Sequence, residues 1–276
     1  MTVATRLIHS RKEVLIRISL NWLYIMLAQN VVVRTEDISL GVVRISMRDV
    51  DGKNALSHEF VRQLMAAFAE VSRREDVKVV VLTGDGPYFC TGGTRETLLA
   101  IHEKQFSFID TDLYRVSIDC PAPVIAAMQG HAMGGGLVLG LGADISILAA
   151  ERIYAANFMS YGFTPGMGAT CILPDRLGDS LAREMLLSGL GYRGIALRER
   201  GIPLRVLPCD EVLDHAENIA KEMAKSPRVA LQALKKHLLQ PLLARLPATI
   251  EAELAMHQLT FHHPDVKDRI MENYSM

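Results

Sequence analysis

Hydrophobic and polar positions change rhythm along the chain in a way that predicts alternating strands and helices. Residues 31–48, VVVRTEDISLGVVRISMR, contain two runs rich in Val and Ile, which predict a pair of strands joined around residues 37–41. After Ser57, a candidate helix cap, apolar residues recur at helical spacing; they are Phe60, Leu64, Ala67, Phe68 and Val71. Three uninterrupted apolar runs, VKVVVLTG, PAPVIAAMQG and ADISILAA, predict strands buried on both faces. The alternation favours an α/β fold.

The strand pattern ends near Pro208, and residues 211–276 are rich in Ala and Leu at helical spacing. We therefore expect a strand-and-helix core over residues 31–210 followed by a helical C-terminal region over residues 211–276. Because proline lacks an N–H and clashes with the preceding turn, the helices are predicted to break at four positions. These are Pro227, Pro241, Pro247 and Pro264.

Residues 1–30 differ from the rest and are predicted to be an extension of unknown role. An apolar run over residues 14–28 follows a basic start, as in a signal peptide or membrane anchor. The run is shorter than the ~20 apolar residues that a membrane helix needs, and Arg17 interrupts it. We expect an added amphipathic segment or an over-extended translation start, with Met26 as the alternative start, and no stable membrane insertion.

Composition excludes several classes of protein. With 49% hydrophobic and 22% charged residues, the 276-residue chain is typical of a folded globular protein. Thirty Lys and Arg against 31 Asp and Glu leave a formal charge of −1, which provides no overall field for nucleic acid or an anionic membrane. The four cysteines form no CxxC pair, so neither a metal site nor a disulfide framework is indicated, and a cytoplasmic location is expected.

Two glycine-rich loops carry the candidate chemistry. In LTGDGPYFCTGGTRETL, Gly92 and Gly93 follow a predicted strand and precede a predicted helix; in VIAAMQGHAMGGGLVLGLGAD, residues 134–136 do the same. The unpaired N–H groups at a helix start attract an anionic oxygen, and two that converge form an oxyanion hole. Glycine clusters at such turns also serve simple tight turns or close packing, and neither loop matches a nucleotide-binding signature.

Four stretches in order, GKNALS, VVVLTGDGPYFCTGG, PAPVIAAMQGHAMGGGLVLGLGADISI and YGFTPGMGAT, resemble the crotonase (enoyl-CoA hydratase/isomerase) superfamily. The resemblance implies a spiral of ββα units and a C-terminal helical region that forms a homotrimer or a dimer of trimers. It also implies an oxyanion hole from the backbone N–H groups of Gly93 and Gly135. The substrate would be a thioester of an acyl carrier protein or coenzyme A. It would bring its own phosphopantetheine arm, and neither a metal nor an organic cofactor would be needed.

The two glutamates with which hydratases of this family handle water are replaced by Val138 and Phe158. Neither side chain transfers protons, so water addition is not expected. The segments YRGIALRERGIPLRVLP, SPRVALQALKKHL and ELAMHQLTFHHPDV most resemble the hydratase-like decarboxylases of polyketide β-branching. Those enzymes remove CO2 from a carrier-bound 3-methylglutaconyl group and leave a 3-methylcrotonyl thioester.

This resemblance implies that His257 is the catalytic histidine and that a catalytic lysine lies on the helix after the first glycine loop, with Lys104 as the first choice and His102 as the second. Lys104 would orient the carboxylate, and His257 would protonate the dienolate. Thr97 replaces a tyrosine of some members. The substrate-binding residues are expected to be Gly92, Thr97, His102, Met133, Phe158 and Lys53.

Each of these residues also has a structural explanation, because a histidine on an amphipathic helix is more often structural and a helix lysine is more often solvated. His257, His262 and His263 lack the ligand spacing of a metal site and are expected to face solvent. Three functions remain open: a decarboxylase, an isomerase with another base, and a non-catalytic subunit that binds acyl thioesters.

Overall fold

The computed structural model describes residues 31–105 and 107–274. The predicted extension, residues 1–30, lies outside the described residues. The described part of the chain contains ten strands. They are β1 Val33–Ser39, β2 Val42–Met47, β3 Val79–Gly84, β4 Tyr88–Cys90, β5 Val124–Met128, β6 His131–Met133, β7 Ile145–Ala149, β8 Ile153–Ala155, β9 Gly191–Arg193 and β10 Arg205–Leu207.

The strands form two sheets. Six pair in the order β1-β2-β3-β5-β7-β10, and four pair in the order β4-β6-β8-β9. The hairpin of β1 and β2 is antiparallel, whereas β2, β3, β5, β7 and β10 run parallel. In the smaller sheet β4, β6 and β8 are parallel and β9 is antiparallel. The three apolar runs correspond to β3, β5 and β7, and nearly all of their residues are buried, as predicted.

Helices connect and cover the strands. Those of the described residues are α1 His58–Arg73, α2 Arg95–His102, α3 Val116–Asp119, α4 Gly135–Leu141, α5 Ala169–Leu177, α6 Asp179–Ser188, α7 Gly194–Glu199, α8 Val212–Met223, α9 Arg228–Leu238, α10 Gln240–Thr260 and α11 Pro264–Asn273. Ser57 caps α1 as predicted, because its side chain accepts a hydrogen bond from the Phe60 N–H at 3.2 Å. None of these helices combines the length and the apolar content that a membrane crossing requires.

The helical C-terminal region is confirmed, and its first helix belongs to the core. Small residues of α8, Ala216 and Ala220, pack against Val81 of β3 and Ile125 of β5. Alanine lets the helix approach the sheet closely, so the sheet and this part of the C-terminal region share one apolar interior.

A buried ion pair anchors α9 beneath the sheet. Lys235, 5% exposed, lies 2.8 Å from the carboxylate of Asp144 and donates to the carbonyls of Ser117 and Ala122. Asp144 in turn accepts the N–H of Val124 at the start of β5. Removal of the lysine would leave the half-buried Asp144 carboxylate without its ammonium partner, so the pair fixes how α9 meets the sheet.

One of the predicted helix breaks is wrong. Pro227, Pro241 and Pro264 stand at the starts of α9, α10 and α11, as predicted, but Pro247 lies inside α10. A proline in the first turn sacrifices no hydrogen bond, since those N–H groups have no partner within the helix. The helix continues through Pro247 because the adjacent Leu246 is 2% exposed and holds it to the core.

Candidate active site

The two glycine loops lie side by side because they follow β4 and β6, which are neighbours in the smaller sheet. The Leu56 N–H donates to the Gly92 carbonyl at 2.7 Å, which fixes the first loop. A Cβ built on Gly92 would lie 2.8 Å from the Met133 carbonyl oxygen and 3.3 Å from the Gly135 nitrogen. Only glycine therefore lets the first loop approach the second without displacing it.

Gly93 and Gly135 line one cavity, as an oxyanion hole requires. The hydrogen bonds among the described residues use neither the Gly93 N–H nor the Gly135 N–H. The peptide groups that carry these two N–H donors also accept hydrogen bonds through their carbonyl oxygens. The Gly92 carbonyl accepts from the Leu56 N–H, and the Gly134 carbonyl accepts from the Val138 N–H at 3.2 Å. A hydrogen bond to the carbonyl oxygen of a peptide polarises that peptide group. The N–H groups of Gly93 and Gly135 are therefore both strengthened as donors.

This glycine-loop cavity measures about 270 Å3 and is mostly apolar. Apolar walls exclude water and strengthen electrostatic interactions inside them. The cavity includes Phe158 at one of the two hydratase glutamate positions, whereas Val138, at the other, is buried within α4. Its apolar lining consists of Leu56, Val61, Met65, Leu98, Phe108, Leu113, Phe158, Phe163 and Met167.

The structure brings some of the predicted substrate-binding residues to this cavity, namely Gly92, Thr97 and Phe158. Three others lie elsewhere. The exposed Lys53 holds its ammonium 5.6 Å from the ring centroid of Tyr88. Met133 supplies the backbone beneath Gly92, and the His102 Nδ1 is 2.8 Å from the Phe261 carbonyl oxygen.

A second cavity of about 300 Å3, here the His257 cavity, contains both His257 and Lys104. Its lining is more polar and comes from α2, α10 and the segment between α2 and α3. Phe108 lines both cavities, and its ring centroid lies 4.7 Å from that of His257. The predicted residues thus fall into two groups, the oxyanion donors in the glycine-loop cavity and the acid–base pair in the His257 cavity.

His257 is 6% exposed, so the expectation that it faces solvent is wrong for this residue. Its Nε2 is 2.7 Å from the Thr164 carbonyl oxygen, and because a carbonyl only accepts, Nε2 carries a proton. Burial lowers the pKa of His257 below its ordinary value. The ring is therefore neutral near pH 7, with its lone pair on Nδ1. No group of metal-ligating side chains is present within residues 31–105 and 107–274.

Lys104 lies just beyond the end of α2, in a turn with φ of 61°. The resemblance implied a lysine on that helix, and the structure instead places this one in the turn that follows, where it lines the His257 cavity. The neighbouring His262 directs its Nδ1 to the His102 carbonyl oxygen at 2.8 Å.

The sequence reasoning missed the groups that hold the loop from Thr164 to Thr170 against the cavity. Glu253 of α10, 2% exposed, accepts from the Gly168 N–H at 2.7 Å and from the Thr170 hydroxyl at 2.6 Å. One turn beyond His257, the Thr260 hydroxyl meets that of Thr164 at 3.0 Å. Glu253 precedes His257 by four residues, so helical spacing was a usable signal that the two share a face.

Four polar side chains in the glycine-loop cavity were also missed: His58, Arg62, Tyr161 and Tyr274. His58 and Arg62 stand on α1, where the apolar pattern drew attention to the opposite face. The tyrosines come from the segment after β8 and from the turn after α11. No local motif marks either one.

Known proteins are similar to this chain in sequence and in fold. The model of the enoyl-CoA hydratase/isomerase family matches residues 37–275. The chain is 51% identical over 243 residues to the bacillaene synthase decarboxylase PksI of Bacillus subtilis, with 88% of this chain and 98% of that protein covered. A solved chain from a dehydratase/decarboxylase enzyme couple involved in polyketide β-branching is 50% identical with a TM-score of 0.86, covering 88% of this chain and 96% of that one. The ECH2 decarboxylase domain of CurF from Lyngbya majuscula is 42% identical with a TM-score of 0.84, covering 88% and 99%.

Proposed function

Because the chain belongs to the enoyl-CoA hydratase/isomerase family, we propose that it uses the family's thioester chemistry to remove CO2 in polyketide β-branching. The observation that carries the proposal is the combination of two free oxyanion donors with Phe158 and Val138 where a hydratase has its acids. A relative named as a decarboxylase shares half of the sequence. We further propose 3-methylglutaconyl thioester as substrate and 3-methylcrotonyl thioester as product.

The proposed reaction needs an electron sink, and the thioester provides it. When the carbon–CO2 bond breaks, its electron pair moves through the double bond to the thioester oxygen, and a dienolate forms. The negative charge on that oxygen is stabilised by the N–H groups of Gly93 and Gly135. Removal of one such donor raises a barrier by about 3–4 kcal/mol, or roughly 100- to 1000-fold in rate.

Lys104 and His257 act on the other end of the acyl group. The Lys104 ammonium attracts the substrate carboxylate before the bond breaks. His257, which rests neutral with its lone pair on Nδ1, takes up a solvent proton there and passes it to the dienolate. A lowered pKa makes the imidazolium a stronger acid, which favours this transfer. Since Phe108 separates these groups from the oxyanion donors, its side chain must turn aside for the carboxylate to reach them.

The test is incubation with 3-methylglutaconyl thioester on pantetheine, coenzyme A and an acyl carrier protein, followed by mass spectrometry. Loss of the mass of CO2 supports the proposal. Intact binding without that loss would instead indicate a non-catalytic binding subunit. Deuterium exchange at the γ-carbon with CO2 retained would indicate an isomerase.

Two variants test the assignment of the acid–base pair. Lys104→Ala is expected to lower kcat while the chain stays folded, and full activity would show that another cation orients the carboxylate. His257→Gln keeps a donor for the Thr164 carbonyl, so it separates catalysis from folding better than alanine does. We also propose that the enzyme is a cytoplasmic homotrimer, which light scattering of the purified protein would check.

A further inference from the structure

The last described turn of the chain touches the first oxyanion loop. Tyr274 follows α11, and its hydroxyl donates a hydrogen bond to the Gly93 carbonyl oxygen, 181 residues earlier in the sequence. Val266 and Ile270, at most 1% exposed, anchor α11 to the core. The tyrosine is therefore held in place by a packed helix, and it also lines the glycine-loop cavity.

The hydroxyl of Tyr274 is a permanent donor. Burial, followed by the proximity of Tyr161, raises the pKa of Tyr274 well above its ordinary value. Its ring centroid lies 6.0 Å from that of Tyr161, which also lines the cavity. The phenol thus remains protonated throughout the working pH range, as donation to a carbonyl requires.

Gly93 needs such a contact because its own dihedral angles are soft. Gly92, immediately before it, has φ of 80°, and neither glycine has a side chain that restricts rotation. The Leu56 N–H holds the peptide plane between Gly92 and Gly93, which contains the donor N–H. Tyr274 holds the next plane, between Gly93 and Thr94. Gly93 is thereby clamped on both sides.

We propose that Tyr274 is a positioning residue that locks the Gly93 peptide so that its N–H points at the thioester oxygen. The inference rests on the proposed function only in requiring that a thioester binds between the two glycine loops. It assigns no proton transfer to Tyr274. The phenol acts through the backbone of Gly93.

The test is the infrared carbonyl stretch of 13C-labelled 3-methylcrotonyl pantetheine, a thioester without a carboxylate to lose, bound to wild type, Tyr274→Phe and Tyr192→Phe. An oxyanion hole polarises the carbonyl and lowers its frequency. Tyr274→Phe keeps the ring and removes only the hydroxyl, so a packing role alone would leave the frequency unchanged. Tyr192→Phe is the control, since it removes a hydroxyl that bonds Glu184 and does not line the glycine-loop cavity.

We expect Tyr274→Phe to lose part of the downshift and about fivefold to tenfold in kcat, with KM close to wild type, whereas Tyr192→Phe keeps the full downshift. An unchanged frequency in Tyr274→Phe overturns the inference and leaves the proposed function standing. Absence of any downshift in wild type overturns both. A normal downshift in wild type with no loss of CO2 from 3-methylglutaconyl thioester refutes the decarboxylase alone.

Discussion

Replacement of Gly92 by alanine tests the close approach of the two loops that the proposed oxyanion hole requires. The new Cβ would lie 2.8 Å from the Met133 carbonyl oxygen and 3.3 Å from the Gly135 nitrogen. Both atoms belong to the backbone and cannot rotate away. The loops must therefore separate by a few tenths of an ångström or more.

The substitution is expected to lower both the stability of the protein and its kcat. Gly92 has φ of 80°, and a residue with a Cβ pays about 1–2 kcal/mol of stability in that region. The displacement acts on catalysis, because each donor must lie about 2.7–3.1 Å from the developing oxyanion. If the separation disables one donor, kcat falls by on the order of 100-fold.

Gly201→Ala is the matched control. Gly201 has φ of 79°, but a Cβ there would meet no atom within 4 Å. Both variants therefore carry the backbone strain, and only Gly92→Ala carries the collision. Urea unfolding measures the first cost, and turnover of 3-methylglutaconyl thioester measures the second. If Gly92→Ala matched Gly201→Ala in both stability and kcat, the reasoning about converging loops would be refuted.

Three further changes probe the surroundings of the site. Phe108→Trp enlarges the wall between the cavities and should lower kcat on the order of 10- to 100-fold without weakening binding of 3-methylcrotonyl pantetheine; unchanged kcat would mean that the carboxylate does not cross this wall. The pKa of His257 is lower in the folded protein than in the unfolded chain, so burial of the neutral ring contributes to the free energy of unfolding. That contribution is complete above the unfolded-chain pKa of about 6.5 and is lost as the pH falls through the pKa of the folded state. Urea titrations from pH 7 to pH 5 should show this loss in wild type, at up to about 1.4 kcal/mol per pH unit, and less of it in His257→Gln. Lys235→Met removes the ammonium that pairs with Asp144, whose side chain is 19% exposed and still accepts the Val124 N–H. The variant should therefore lose about 1–3 kcal/mol of unfolding free energy while kcat of the folded enzyme stays normal, and a loss below about 0.5 kcal/mol would contradict the structural role of the pair.

Much of the fold was predictable because its signals are local. An uninterrupted apolar run such as VKVVVLTG has no polar face, so it requires cover on both sides and becomes a central strand. A serine before an amphipathic pattern satisfies helix N–H groups, and Ser57 does so. The helix break predicted at Pro247 was wrong because tertiary packing of the surrounding residues outweighs the local cost of proline in a helix.

The site was predictable only in part. The glycine loops stand out because strand, glycines and helix are consecutive in sequence. The contact between Gly93 and Tyr274 joins residues 181 positions apart, and no periodic pattern encodes such a pairing. The burial of His257 likewise depends on the Thr164 carbonyl and the Phe108 ring, which fold over a helix whose sequence alone does not show what covers it.

The bond between Tyr274 and Gly93 also bears on how the protein is made. Both glycine loops leave the ribosome while well over a hundred residues are still to be translated. Translation must reach residue 274 before the tyrosine can dock on the first loop. A nascent chain that has not reached Tyr274 would therefore polarise a bound thioester carbonyl less than the full chain does, and a premature stop codon before residue 274 would have the same effect.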